Sequence, residues 1–256
     1  MKKSYLKKLC YCRNKTCGKR SGKKSATIKN TASFKLKMDI IKAHIPSKLY
    51  EILVVDIKEL RPAQKKAVKA GLLEGKNLLV CTPTASGKTL IAELAAMKAV
   101  LEQKKKAIYI VPLKALASEK YRDFKRKYDK IAKIALSIGN LDASDPYLAE
   151  YDIIITTSEK LDSLLRHHSP WLIDVGVVVI DEIHLLNDPN RGPTLEILIT
   201  LLRRILKNVQ IIGLSATIGN PEELAEWLGA RLVEDDWRPV KLKKGVYHNG
   251  QLEFVE

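Results

Sequence analysis

The sequence predicts an α/β fold in which a mostly parallel sheet carries helices on both faces. Three observations predict it. From residue 60 onward, short apolar runs alternate with longer stretches whose apolar residues recur at helical spacing. The connections between successive runs are too long for hairpins, so the strands must lie parallel and cross over through helices. Several runs are continuous and rich in Ile and Val, as strands covered on both faces require.

The elements follow in order. Residues 61–74 read as a helix, 77–81 as the first strand and 90–104 as a strongly helical stretch. A strand at 107–111 precedes a helix at 114–130, and a strand at 134–138 follows. The strand at 153–157 runs directly into a helix at 158–165. Strands at 177–180 and 210–214 flank a helix at 194–206. In sheets of this kind ligands bind at the carboxyl ends of the strands, and each motif described below falls at or just beyond such an end.

Composition bounds the function. The net charge of +16 belongs to the N-terminus, because thirteen Lys/Arg and no Asp or Glu fall in residues 1–38, leaving +3 for the rest. Residues 1–37 therefore read as a basic, disordered tail, and the high pI says little about the globular body. Such a tail admits two readings, a non-specific binder of nucleic-acid phosphate or a solvated extension. Cys10, Cys12 and Cys17 cluster in it, but C-x-C-x₄-C lacks the paired spacing of a zinc site, and His44 is far downstream. Met38, followed at once by the first acidic residue, would make a sensible start. Four cysteines argue against a disulfide framework. No run of roughly 18 apolar residues occurs, and no signal-peptide core follows the basic start, so a cytoplasmic protein without a membrane span is expected.

Between the first strand and the second helix lies Thr82-Pro83-Thr84-Ala85-Ser86-Gly87-Lys88-Thr89. A strand, a small-residue loop ending in Gly-Lys-Thr, and a helix form the arrangement that grips a nucleoside triphosphate. Loop amides and the helix N-terminus point N–H groups at the phosphates. Lys88 would reach the β- and γ-phosphates, and the Thr89 hydroxyl would hold Mg²⁺. The usual pattern starts with Gly, and Thr82 stands there instead.

Val177-Val178-Val179-Ile180 runs into Asp181-Glu182-Ile183-His184. An acidic pair at the end of a buried strand is the second half of a triphosphate site. Asp181 would hold Mg²⁺ through water, and Glu182 would orient and deprotonate the attacking water. Ser215-Ala216-Thr217 follows a further strand, where Ser215 and Thr217 could bond the acidic pair and sense the γ-phosphate. The adjacent carboxylates favour hydrolysis over simple binding.

These three motifs in this order resemble the superfamily-two helicases, in detail their Ski-like branch and the archaeal DNA helicases of the Hjm type. The resemblance runs from about residue 38 to the C-terminus. It includes Val111-Pro112-Leu113-Lys114, Thr156-Thr157-Ser158-Glu159-Lys160, Arg191-Gly192-Pro193-Thr194 and Asp236-Trp237-Arg238-Pro239-Val240. It implies a RecA-like P-loop domain over residues 38–236, with 237–256 beginning a connection toward a second motor domain. Gln64 matches the family's adenine-recognising glutamine, which implies ATP, although Ala63 replaces a more usual proline. Without the resemblance Gln64 would read as an exposed helix residue.

By the same resemblance Pro112, Lys114, Thr157, Ser158 and Arg191 would track a nucleic-acid backbone, and His184 would communicate with the second domain. The implied partners are single-stranded or forked DNA, with RNA open, and a second RecA-like domain from the same gene or another subunit. That domain's arginine motif does not occur in the 256 residues. The expectation is therefore a first motor domain that binds Mg·ATP, hydrolyses it slowly and does not unwind alone. The alternative is a stand-alone or split-subunit ATP- and nucleic-acid-binding module. His167 and His168 read as helix-end surface residues, and Trp171 and Trp227 as packing rather than base-stacking residues.

Overall fold

The computed structural model describes residues 39–139, 145–240, 244–248 and 251–255. The tail, its three cysteines and Met38 lie outside the described residues. Helices α1 (Asp39–Lys42), α2 (Ser47–Asp56) and α3 (Pro62–Lys69) lead to β1 (Leu78–Cys81), α4 (Lys88–Leu101), β2 (Lys106–Val111) and α5 (Lys114–Tyr128). Then come β3 (Ile134–Ser137), β4 (Ile153–Thr157), α6 (Ser158–Arg166), β5 (Val175–Ile180), α7 (Gly192–Ile205) and β6 (Gln210–Ser215). The order closes with α8 (Pro221–Leu228), β7 (Arg231–Glu234), β8 (Lys244–His248) and β9 (Gln251–Val255).

Seven strands form one sheet in the order β3-β4-β2-β5-β6-β1-β7, and every neighbouring pair is parallel. Side chains alternate faces along each strand, and the core divides accordingly. Leu78 and Val80, Tyr109 and Val111, and Val177 and Val179 pack under α2 to α5. Leu79 and Cys81, Ile108 and Ile110, and Val178 and Ile180 pack under α6, α7 and α8. This explains the continuous apolar runs, because both faces are buried.

Three details differ from the sequence reading. The first predicted long helix breaks after Lys69: Gly71, at φ 96°, turns the chain into a short 3₁₀ segment at Leu72–Glu74. The strands expected from the sequence also gain β7 at the edge beside β1. Only Val233 of its four residues is buried, so it carries no continuous apolar signal. Residues 244–255, expected to begin a connection, contain the antiparallel pair β8–β9.

Candidate active site

Strands β5, β6 and β1 are neighbours in a parallel sheet, so their carboxyl ends open onto one edge. The phosphate-type loop leaves β1, Asp181-Glu182 leaves β5, and Ser215 ends β6. Three motifs spread over more than 130 residues thus converge by topology alone.

The loop is held in shape from inside. Thr82 donates its N–H to the Ser215 carbonyl at 3.2 Å, and its hydroxyl meets that of Ser86 at 2.7 Å. Thr82, Pro83 and Ser86 are buried, whereas Thr84 and Ala85 are exposed. Ala85 and Gly87 take positive φ angles of 64° and 92°. Those left-handed turns lay the loop around the N-terminus of α4, which begins at Lys88. A Cβ on Gly87 would stand 2.4 Å from Gln64 Nε2, so side chain and loop backbone are in direct contact there.

Lys88 Nζ donates to the Ser215 and Thr82 carbonyls at 2.8 and 3.1 Å. Burial holds its pKa below the ordinary lysine value, opposed by the nearby Glu182 and Asp181 carboxylates. The Thr89 hydroxyl accepts a hydrogen bond from Lys120 Nζ at 3.1 Å. Asp181 donates its N–H to the Ile110 carbonyl at 2.9 Å. Its Oδ1 accepts from the Glu182 N–H at 3.1 Å, and its Oδ2 from the Tyr109 hydroxyl at 3.1 Å. Burial, reinforced by Asp181, pushes the Tyr109 phenol well above its usual pKa and keeps it a donor. Glu182 has a left-handed backbone at φ 52°. His184 Nδ1 lies 3.3 Å from a Glu182 carboxylate oxygen without hydrogen-bond alignment. Ser215 is buried and its hydroxyl lacks a well-aligned partner, while Thr217 is exposed. Next to Ser215, the buried Cys81 thiol is pushed up to about 11, chiefly by desolvation, and is an unreactive core group.

Gln64 is 4% exposed, not the surface residue that the helix pattern alone suggests. Its Oε1 accepts from the Arg61 N–H at 2.8 Å, and its Nε2 donates to the Gly87 carbonyl at 2.9 Å. The amide therefore ties the start of α3 to the loop. Arg61, which the sequence reading passed over, donates to the Ala85 carbonyl at 2.6 Å and lies 5.7 Å from the Trp237 ring centroid. Lys66 fastens the segment after β7 through Asp235, at 2.9 Å.

Of the residues expected to meet a nucleic acid, Pro112, Ser158 and Arg191 line one shallow depression with Asp181 and Glu182. Lys114 is exposed in the first turn of α5. Thr157 and Ser158 are buried at the β4–α6 junction. Arg191 is half-buried, and Asp188 accepts its N–H and that of Asn190, bonds that lower the Asp188 pKa. Lys160 is buried and paired with Asp145 at 2.9 Å. His167 and His168 are exposed, and Trp171 and Trp227 pack in or against the core, as expected.

The sequence profile of the DEAD/DEAH box helicase family matches residues 61–224. Similar curated proteins include the ATP-dependent DNA helicase Hel308 of Methanocaldococcus jannaschii, 60% identical over 216 residues. That match covers 81% of this chain and 18% of the relative. Hel308 of Pyrococcus abyssi is 56% identical over 214 residues, covering 83% and 30%. The chain thus spans less than a third of the length of these relatives. Among solved structures, the DUF1998 helicase MrfA bound to DNA superposes with a TM-score of 0.67 at 29% identity, covering 75% of this chain and 30% of that one. MrfA bound to DNA and AMPPNP gives 0.66 at 28% identity, covering 75% and 29%. The matched segment holds every residue of the nucleotide-type site, from Gln64 through Lys88, Asp181 and Glu182 to Ser215 and Thr217, and the chain belongs to the DEAD/DEAH box helicase family.

Proposed function

We propose that this chain is the ATP-binding motor domain of an ATP-dependent DNA helicase. The observation that supports it best is the convergence of the Gly87-Lys88-Thr89 loop, Asp181-Glu182 and Ser215 on one edge of a parallel sheet. Lys88 binds the β- and γ-phosphates, since its ammonium already lies between the Thr82 and Ser215 carbonyls at the head of α4. Glu182 orients the attacking water and takes its proton, with Ser215, Thr217 and His184 responding to the γ-phosphate. Gln64 selects adenine through the carboxamide now bonded to Gly87.

Hard oxygen donors, the Thr89 hydroxyl and the Asp181 carboxylate, suit Mg²⁺, which keeps several waters and binds through few protein ligands plus substrate phosphates. Mg²⁺ held by these residues would supply neutralisation of charge on the substrate's phosphates. Pro112, Lys114, Thr157, Ser158 and Arg191 contact the backbone of a single-stranded or forked DNA without reading its sequence. A second RecA-like domain, from the same gene or another subunit, completes the cleft.

The test is steady-state ATP hydrolysis by the purified chain with and without single-stranded DNA or RNA, beside Lys88→Ala. The reading predicts hydrolysis that DNA alters and that Lys88→Ala abolishes. A rate indifferent to both the nucleic acid and the substitution overturns it.

A further inference from the structure

We propose that Tyr109 and Lys120 are positioning residues that hold the two magnesium ligands, Asp181 and Thr89, from one continuous unit, β2–α5. The proposal rests on the ATP reading above and deepens it. Tyr109 lies on β2 and is 1% exposed, deep under α5. Its ring meets Phe124 of α5 edge to face at 5.5 Å, and Phe124 meets Tyr128 likewise at 5.7 Å. A ring packed in this way has one orientation, and that orientation delivers its hydroxyl to Asp181 Oδ2 at 3.1 Å.

The other Asp181 oxygen is fixed by the Glu182 N–H at 3.1 Å. A carboxylate offers about four lone-pair positions, so these two bonds orient the group and leave lone pairs for metal-bound water. Lys120, from the middle of α5, donates to Thr89 Oγ1 at 3.1 Å, and its ammonium lies 6.0 Å from the Tyr109 ring centroid. The hydroxyl keeps a second lone pair for a cation. Tyr109 meets the acidic pair at Asp181, and Lys120 meets the phosphate-type loop at its last residue, Thr89. Each acts through the residue it holds, as outer partners of metal ligands do. The same unit contains Pro112 and Lys114, so the groups orienting the ligands and those assigned to the strand share one strand, loop and helix.

The experiment measures binding of a fluorescent ATP analogue to the full chain across a Mg²⁺ titration, for wild type, Tyr109→Phe, Lys120→Met and Tyr128→Phe. The last variant is the control. It too loses a buried hydroxyl–carboxylate bond, at 2.6 Å to Glu93, but one that holds neither Asp181 nor Thr89. The proposal expects the Mg²⁺ concentration for half-maximal binding to rise about 10-fold in Tyr109→Phe and Lys120→Met. Binding in EDTA should be unchanged in both, and Tyr128→Phe should lower the melting temperature with an unmoved Mg²⁺ midpoint. An unmoved midpoint in Tyr109→Phe, or an equal rise in Tyr128→Phe, overturns the proposal while the ATP reading stands. Wild-type protein that binds the analogue without regard to Mg²⁺ removes both.

Discussion

Glu182 combines a reactive position with an unfavourable backbone. A non-glycine residue at φ 52° stores strain of about 1–3 kcal/mol, tolerated where the surroundings over-determine it. Here the Glu182 N–H is anchored on Asp181 Oδ1 and its carbonyl on the Leu185 N–H at 3.0 Å. The turn therefore sets the carboxylate beside His184. Glu182→Gln preserves this shape and removes the proposed base. Its expected effect is a fall in ATP hydrolysis of roughly 10²–10⁴-fold with nucleotide affinity kept within a few-fold. Single-turnover hydrolysis beside equilibrium binding would separate the two, and a wild-type rate would exclude Glu182 as the base.

Gln64 gives a second residue-scale prediction. Truncation to Ala removes the Gln64 partner of the Arg61 N–H and leaves the Gly87 carbonyl to the Leu90 N–H at 3.3 Å, at a cost of about 1–3 kcal/mol. A lower melting temperature should therefore accompany reduced preference for ATP over GTP. Unaltered preference would leave Gln64 a loop brace only. Its burial was not legible in the sequence, because the contact that buries it lies 23 residues away. Tyr109 and Lys120 were hidden for the same reason, reaching partners 72 and 31 residues distant.

At the scale of elements, the sequence was most legible where burial is two-sided. β1, β2, β4, β5 and β6 show as mostly apolar runs rich in Ile, Val and Leu because helices cover both faces. β7 escaped notice because an edge strand needs only one buried residue, Val233, to dock beside β1. The contact between α7 and the turn after Glu182 was equally silent. A Cβ on Gly192 would come 2.2 Å from the Leu186 carbonyl oxygen, a distance that only backbone movement relieves. Gly192→Ala should therefore destabilise the fold by about 1–3 kcal/mol. At roughly 2–4 °C per kcal/mol for a domain of this size, the loss is readable in a thermal melt. It should also slow hydrolysis, since the displaced turn begins at Glu182. Gly219, with nothing within 4 Å of its Cβ position, is the matched control, and Gly219→Ala should melt like wild type. Equal melting of both variants would show that α7 slides without penalty.

Along the whole chain, the excess charge and the nucleotide-type site fall in different segments of the sequence. The nucleotide-type site is built within residues 64–217, whose ligands converge on one sheet edge. Most of the excess positive charge instead sits in residues 1–38, with thirteen Lys/Arg and no acidic residue, against +3 for everything after. Non-specific affinity for nucleic acid follows the number of phosphates neutralised, and each adds about −0.7 to the slope of log K against log salt on a single strand. The few candidate contacts on the body, of which only Lys114 and Arg191 are cationic, can supply a small slope. Removing residues 1–37 should therefore weaken single-stranded DNA binding at low salt and flatten its salt dependence, while leaving Mg²⁺-dependent nucleotide affinity unchanged. Fluorescence anisotropy between 50 and ~200 mM salt, beside nucleotide titrations, reads both quantities. Identical slopes with and without the segment would make it a solvated extension and place the strand affinity on the β2–α5 and β4–α6 junctions and Arg191.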